Sequence, residues 1–114
     1  MTDKEFQLLH KDLCARLPYH PIIKIYNDSW EGCQYGEFDN NLSYHHVEAF
    51  LCDRIEIELY LRPMSEIANL ISAKEYSQLG GIDLIDWYNA NHIDYRGLIE
   101  KGLAIEAPEG MYNN

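Results

Sequence analysis

A change of apolar rhythm at Leu17-Pro18 constrains the fold more than any other feature. Before it, Phe6, Leu9, Leu13 and Leu17 recur at three- and four-residue spacing, the stripe of a helix with one buried face. Thr2-Asp3-Lys4-Glu5 supplies a Ser/Thr-x-x-Glu capping box, so a helix is expected over about residues 3–16. Pro18 has no amide hydrogen and disfavours helical backbone in the residue before it, which ends the helix there. From Pro21 the period is two, with Ile23 and Ile25 on one face and Ile22, Lys24 and Tyr26 on the other, as in a strand. A helix stripe followed by strand alternation requires two kinds of element to share one core.

Asn27-Asp28-Ser29 has turn chemistry, Trp30 to Tyr35 reads as an antiparallel return, and Gly36-Glu37-Phe38-Asp39-Asn40-Asn41 reads as a longer loop. A third strand is expected around Tyr44–Leu51. Over residues 53–62, Ile55, Ile57, Leu59 and Leu61 alternate with Arg54, Glu56, Glu58 and Tyr60. That pattern favours a half-buried strand closed by Arg62-Pro63, with a short helical turn capped by Asp53 as the alternative. The remainder is helical: Ser65 or Ser72 can start a helix, and Ser72-Ala73-Lys74-Glu75 repeats the capping box before Gly80-Gly81. A helix over about 82–91 should turn Leu84, Ile85, Trp87 and Tyr88 toward the core. Another should begin at Asp94 as N-cap, pass through Leu98 and Ile99, and stop at a left-handed Gly102, before Leu103–Ala107 extends.

These elements fit one α+β domain over residues 1–114. It has an N-terminal helix, a small antiparallel sheet at about 21–61, two to three C-terminal helices over one sheet face, and a loose tail at about 108–114. A length of 114 residues leaves no room for a second core, and 46% hydrophobic with 25% charged residues is ordinary for a globular protein. No apolar run is long enough to span a bilayer, and Met1-Thr2-Asp3-Lys4-Glu5-Phe6 lacks the basic tip and apolar core of a secretory signal, so a cytoplasmic protein is expected. Cys14, Cys33 and Cys52 form an odd set without C-x-x-C spacing, expected as buried free thiols; a Cys33–Cys52 bridge stays open if their strands are neighbours.

The net charge is −10 and is distributed unevenly. Residues 1–24 hold four basic and three acidic side chains, 25–61 one and eight, and 62–114 four and eight. The missing basic face excludes direct nucleic-acid binding. Acidic residues alternating with apolar ones fit a solvated sheet face; the sharper alternative is an acidic mimic of a phosphate backbone that blocks a DNA-binding protein.

Gly80-Gly81 lacks the context of a phosphate-binding loop, and there is no H-E-x-x-H, G-x-S-x-G or Glu-x-Lys pattern. His45-His46 is an adjacent pair that a strand would send to opposite faces, so no metal or cofactor is expected. His92 with Asp94 is the candidate for acid–base chemistry in a small hydrolase or other enzyme, although Asp94 also suits a helix cap. Tyr60, Arg62, Trp87, Tyr95 and Arg96 combine the aromatic and guanidinium groups that dominate binding hot spots. They form the candidate contact surface for an unidentified protein partner. An internal role is the alternative, with Arg62 and Arg96 bonded to loop carbonyls or paired with Asp86 or Asp94.

Four segments carry a resemblance: Lys11-Asp12-Leu13-Cys14-Ala15-Arg16-Leu17-Pro18-Tyr19, Tyr60-Leu61-Arg62-Pro63-Met64-Ser65, Asp86 to Ile99 and Glu100 to Tyr112. Through them the chain resembles a group of small uncharacterised proteins of Bacteroides-type gut bacteria and their phages or mobile elements. The likeness covers the first 20 residues and most of 60–112, while 25–58 diverges. Because that group has no established activity, the resemblance implies a bacterial or phage cytosolic setting and no catalytic residue. It also implies a helical turn capped by Asp53 before Tyr60-Leu61-Arg62-Pro63. The function expected from all this is a non-enzymatic accessory or interaction protein of a phage or mobile element.

Overall fold

The computed structural model describes residues 1–27 and 36–112. Helix α1 spans Asp3–Arg16, and its capping box closes as expected: Glu5 N–H donates to Thr2 Oγ1 at 3.1 Å and Thr2 N–H to Glu5 Oε1 at 2.9 Å. Leu9 and Leu13 are fully buried, and Phe6 and Leu17 pack at the edge of the same core. After a single 3-10 turn over Leu17–Tyr19, β1 runs Ile22–Asn27 with Ile23 and Ile25 inward.

The expected loop at Gly36–Asn41 is instead strand β2, antiparallel to β1 with Ile23 opposite Asn40 and Ile25 opposite Phe38. Gly, Asp and Asn disfavour strands by only about 1 kcal/mol or less, and pairing with the exposed edge of β1 satisfies a row of backbone groups at once. The expected return strand at Trp30–Tyr35, the turn residues Asp28 and Ser29, and Cys33 lie outside the described residues.

The expected third strand at Tyr44–Leu51 is helix α2. Val47 and Phe50, three residues apart, are both buried, and Phe50 stacks on Phe6 with centroids 4.7 Å apart. A strand would have sent those two side chains to opposite faces. The helix closes in a Schellman arrangement: Asp53 N–H donates to Phe50 O and Arg54 N–H to Ala49 O, with Asp53 left-handed at φ 59°. Asp53 therefore terminates α2 and caps no helical turn after it. Strand β3, Glu56–Leu61, follows the alternation of the sequence, with Ile57, Leu59 and Leu61 buried.

Helices α3 (Ile67–Leu70), α4 (Ala73–Ser77) and α5 (Gly81–Ala90) come next, after a 3-10 turn at Met64–Glu66. Ser72 caps α4 by accepting the Glu75 N–H at 3.2 Å. Of the residues expected on the core face of α5, Tyr88 is buried and Leu84 and Trp87 are half-buried, but Ile85 is 41% exposed. The expected helix from Asp94 to Gly102 is a run of turns. Gly97 takes φ 73°, a left-handed backbone that interrupts a right-handed helix in its first turn, while Gly102 is left-handed at φ 76° as expected. Strand β4, Ala104–Glu106, then pairs parallel with β3.

The sheet order is β2-β1-β3-β4. Its first three strands are antiparallel, as anticipated for 21–61, and β4 makes the whole sheet mixed. The turn after α5 extends the β3 edge: Arg62 N–H donates to His92 O at 2.7 Å and Asp94 N–H to Arg62 O at 2.8 Å. One core cluster joins α1, α2, the inner sheet face and Leu98, each fully buried aliphatic side chain contributing roughly 1.5–3 kcal/mol. Cys14 and Cys52 are exposed, contrary to the buried thiols expected, because Cys14 lies on the outer side of α1 beside His10 and Cys52 at the exit of α2. Among the described residues, no helix is long and apolar enough to cross a membrane.

Candidate functional site

The residues singled out in the sequence gather in two polar clusters where α1, the end of β3 and the turn after α5 meet. The first is built on α1, whose inward stripe of Leu9, Asp12, Leu13 and Arg16 includes two charges. Arg16 Nε donates to Asp12 Oδ2 at 2.7 Å, with both residues fully buried. Arg96 Nε donates to the other oxygen, Oδ1, at 2.9 Å, and Arg16 Nη2 donates to Ile93 O at 2.7 Å. One carboxylate thus holds two guanidinium groups. The Tyr95 ring lies 5.2 Å from the Arg16 guanidinium and 4.9 Å from that of Arg96, so its negative face offsets part of the remaining positive charge.

Tyr95 in turn stacks on Tyr88 at 5.2 Å, and the Tyr88 hydroxyl lies 2.5 Å from that of Tyr76. Trp87 stands edge-on to both Tyr76 and Tyr88 at 6.0 Å. Burial first, and then the bond to Tyr76, pushes the Tyr88 phenol up to about 12. This aromatic chain is the tie between α4, α5 and the body of the fold.

The second cluster is centred on Arg62. Its Nη1 donates to Asn91 O at 3.0 Å and its Nη2 to Tyr112 O at 2.5 Å. The Tyr112 ring stacks on His92 at 4.0 Å, with the Arg62 guanidinium 5.4 Å from its centre. Its hydroxyl accepts the Ile22 N–H at 2.8 Å and donates to Tyr60 O at 2.7 Å. The expected loose tail is therefore docked as far as Tyr112, because one phenol joins the start of β1 to the end of β3. Tyr60, also buried, donates its hydroxyl to Asp39 at 3.0 Å.

The five residues expected to form one contact surface are accordingly distributed. Tyr60 and Arg62 are buried in the second cluster, and Trp87, Tyr95 and Arg96 are partly covered in the first. Arg62 takes loop carbonyls, as the internal alternative supposed, whereas Arg96 pairs with Asp12 and not with Asp86 or Asp94. Asp94 accepts the Leu98 N–H at 2.8 Å and the Ile99 N–H at 3.0 Å, each on a different oxygen. Its carboxylate thereby holds the turn that buries Leu98.

His92 adopts φ 61°, immediately after α5. Burial, followed by the charges of Arg62 and Arg16, lowers its pKa to about 4, so the imidazole is neutral near pH 7. Between about pH 6.5 and 4 the unfolded chain binds a proton at this residue that the folded chain refuses, so its contribution to stability falls as the pH falls through that window. Thermal unfolding of wild type and His92→Asn, a residue that tolerates left-handed backbone, should show a steeper loss on acidification in the wild type than in the variant. Parallel pH curves for the two proteins would rule this out.

On the outer sheet face Lys24 lies between Asp39 of β2 and Glu58 of β3, which interrupts the acidic strip that a phosphate mimic requires. His45 and His46 fall on α2 and not on a strand; His46 Nδ1 accepts the Ser43 N–H at 3.0 Å. Among the described residues, no group of three His, Cys, Asp or Glu side chains is arranged to hold a metal ion.

The sequence reading passed over a groove of about 410 Å³ between the 3-10 turn at Met64–Glu66, α3 and α4, lined by Met64, Ile67, Ala68, Ile71, Ala73 and Tyr76. Neither that turn nor α3 nor α4 contains a buried residue. Near it in sequence, Met64 is 45% and Ile82 80% exposed. The available signal was the density of Ile and Met over 64–85, in helices too short to bury them. Comparison with protein-family models, curated proteins and solved structures gives no match.

Proposed function

We propose that the chain is a non-enzymatic protein-interaction protein, an accessory of a phage or mobile element in keeping with the resemblance noted above. Its contact surface on this reading is the segment 64–85. The observation that carries the proposal is the apolar groove wall, on which Met64 and Ala68 are exposed and Ile67, Ile71 and Tyr76 are only half-buried. Exposed apolar surface beyond isolated residues is uncommon unless it has a use. Tyr76, on the groove wall, packs against Trp87 and Tyr88 of α5, which supports the wall; of the five residues expected to touch a partner, Trp87 is the one in this group.

The test is Met64→Asp combined with Ile82→Asp, both at exposed positions where the fold should change by no more than about 0.5 kcal/mol. A protein that co-purifies with the wild-type chain from a bacterial host at low salt should be lost from the variant while its melting temperature is retained. Retention of every co-purifying protein, with loss on Arg62→Ala or Arg96→Ala in a chain that still folds, would return the contact to the polar clusters.

A further inference from the structure

Resting on that reading, we propose that the groove between α3 and α4 receives an amphipathic helix of a partner protein, its apolar stripe seated on Met64, Ile67 and Ile71 and its flanks carrying Lys or Arg. The walls decide between a helix and a strand. They are side chains of helical segments whose backbone amides are bonded locally, as in Ile71 N–H to Ile67 O at 3.2 Å and Tyr76 N–H to Ser72 O at 2.9 Å. No open row of amides is presented for an extended peptide to pair with, so recognition falls to side chains at i, i+3, i+4 and i+7. A volume of about 410 Å³ takes a few apolar anchors, and the thioether of Met64 adapts to their shape.

Charge decides between a basic and an acidic helix. Over residues 63–92 the acidic side chains are Glu66, Glu75, Asp83 and Asp86, against the single basic Lys74, within a chain of net charge −10. Glu75 stands at the groove wall, where its Oε1 accepts the hydroxyl of the lining residue Ser72 at 3.0 Å, whereas Glu66 faces a neighbouring cavity beside Arg62. A helix flanked by Lys or Arg is steered toward this rim, and one flanked by Glu is repelled. A second copy of the chain brings the same negative charge to the contact and is disfavoured for the same reason.

The probes are two synthetic 14-residue peptides with leucines at i, i+3, i+4 and i+7, one carrying Lys and the other Glu on the remaining face, titrated against the full-length chain by fluorescence anisotropy. The Lys peptide should bind saturably and weaken several-fold between roughly 50 and 300 mM salt. The Glu peptide should bind at least about tenfold more weakly. Ala68 is exposed on the groove wall, so Ala68→Arg fills the groove without touching the core and should abolish binding of the Lys peptide. Equal binding of both peptides, lost in Ala68→Arg, would overturn the basic partner while leaving an apolar docking site and the interaction reading in place. No binding of either, or binding unchanged by Ala68→Arg, would overturn the groove as the docking site; the Met64→Asp, Ile82→Asp comparison then reports separately on whether the segment contacts a partner at all. A concentration-dependent mass in analytical ultracentrifugation, abolished by Ala68→Arg, would make the occupant a second copy and overturn the proposal.

Discussion

Asp12→Ala is expected to destabilise the protein by about 3–5 kcal/mol, among the largest effects of any single substitution. Asp12 is the counter-ion of fully buried Arg16 and also holds Arg96, so its removal leaves a guanidinium in the core with only the Ile93 carbonyl and the Tyr95 ring to offset its desolvation. Much of the loss comes from stranding that charge and not from the net worth of the pair. The double variant Asp12→Leu, Arg16→Met should therefore recover most of the stability that Asp12→Ala loses. Urea unfolding at pH 7 measures both, with the midpoint moving at constant slope. A single variant within about 1 kcal/mol of wild type would show that water reaches Arg16 and that the cluster is not dry.

Tyr112→Ala should cost about 3 kcal/mol, since it removes the ring between His92 and Arg62 together with the hydroxyl joining β1 to β3. Tyr112→Phe separates the two contributions. It keeps the stack but leaves the Ile22 N–H without its partner, for an expected loss of about 1–3 kcal/mol. The phenol itself is pushed up to about 12 by burial, so it remains protonated throughout the pH range of folding experiments. If both variants unfolded within about 0.5 kcal/mol of wild type, residues 107–112 would be a tail in solution after all.

The inward stripe of α1 shows how far a sequence reading reaches. Leu9 and Leu13 identify the buried face, and Asp12 and Arg16 fall on the same face by the same arithmetic. Two charges on an apolar stripe were a legible sign of a buried ion pair. The third member was not legible, because Arg96 is 84 residues away along the chain and no local rule pairs it with Asp12. Asp94 was foreseen as a cap, and it does accept two backbone amides. The helix expected to follow is prevented by the left-handed Gly97. The groove was missed because side-chain period cannot assign a buried face to helices of four and five residues, which is the length of α3 and α4.

By itself the sequence determined what neighbours along the chain decide. Thr2 and Glu5 start α1, Pro18 follows its last turn, Ile23 and Ile25 set the face of β1, Ile57 to Leu61 set that of β3, and Gly102 supplies a left-handed turn. These follow from side-chain period and backbone sterics, which act over a few residues. Only the tertiary structure decided that Gly36–Asn41 is a strand, that Tyr44–Leu51 is a helix, that β4 lies parallel to β3, and that Tyr112 closes the fold. Local preferences in such segments differ by about 1 kcal/mol or less. Pairing an open strand edge or burying Val47 and Phe50 together is worth more than that, so the rest of the chain sets the outcome.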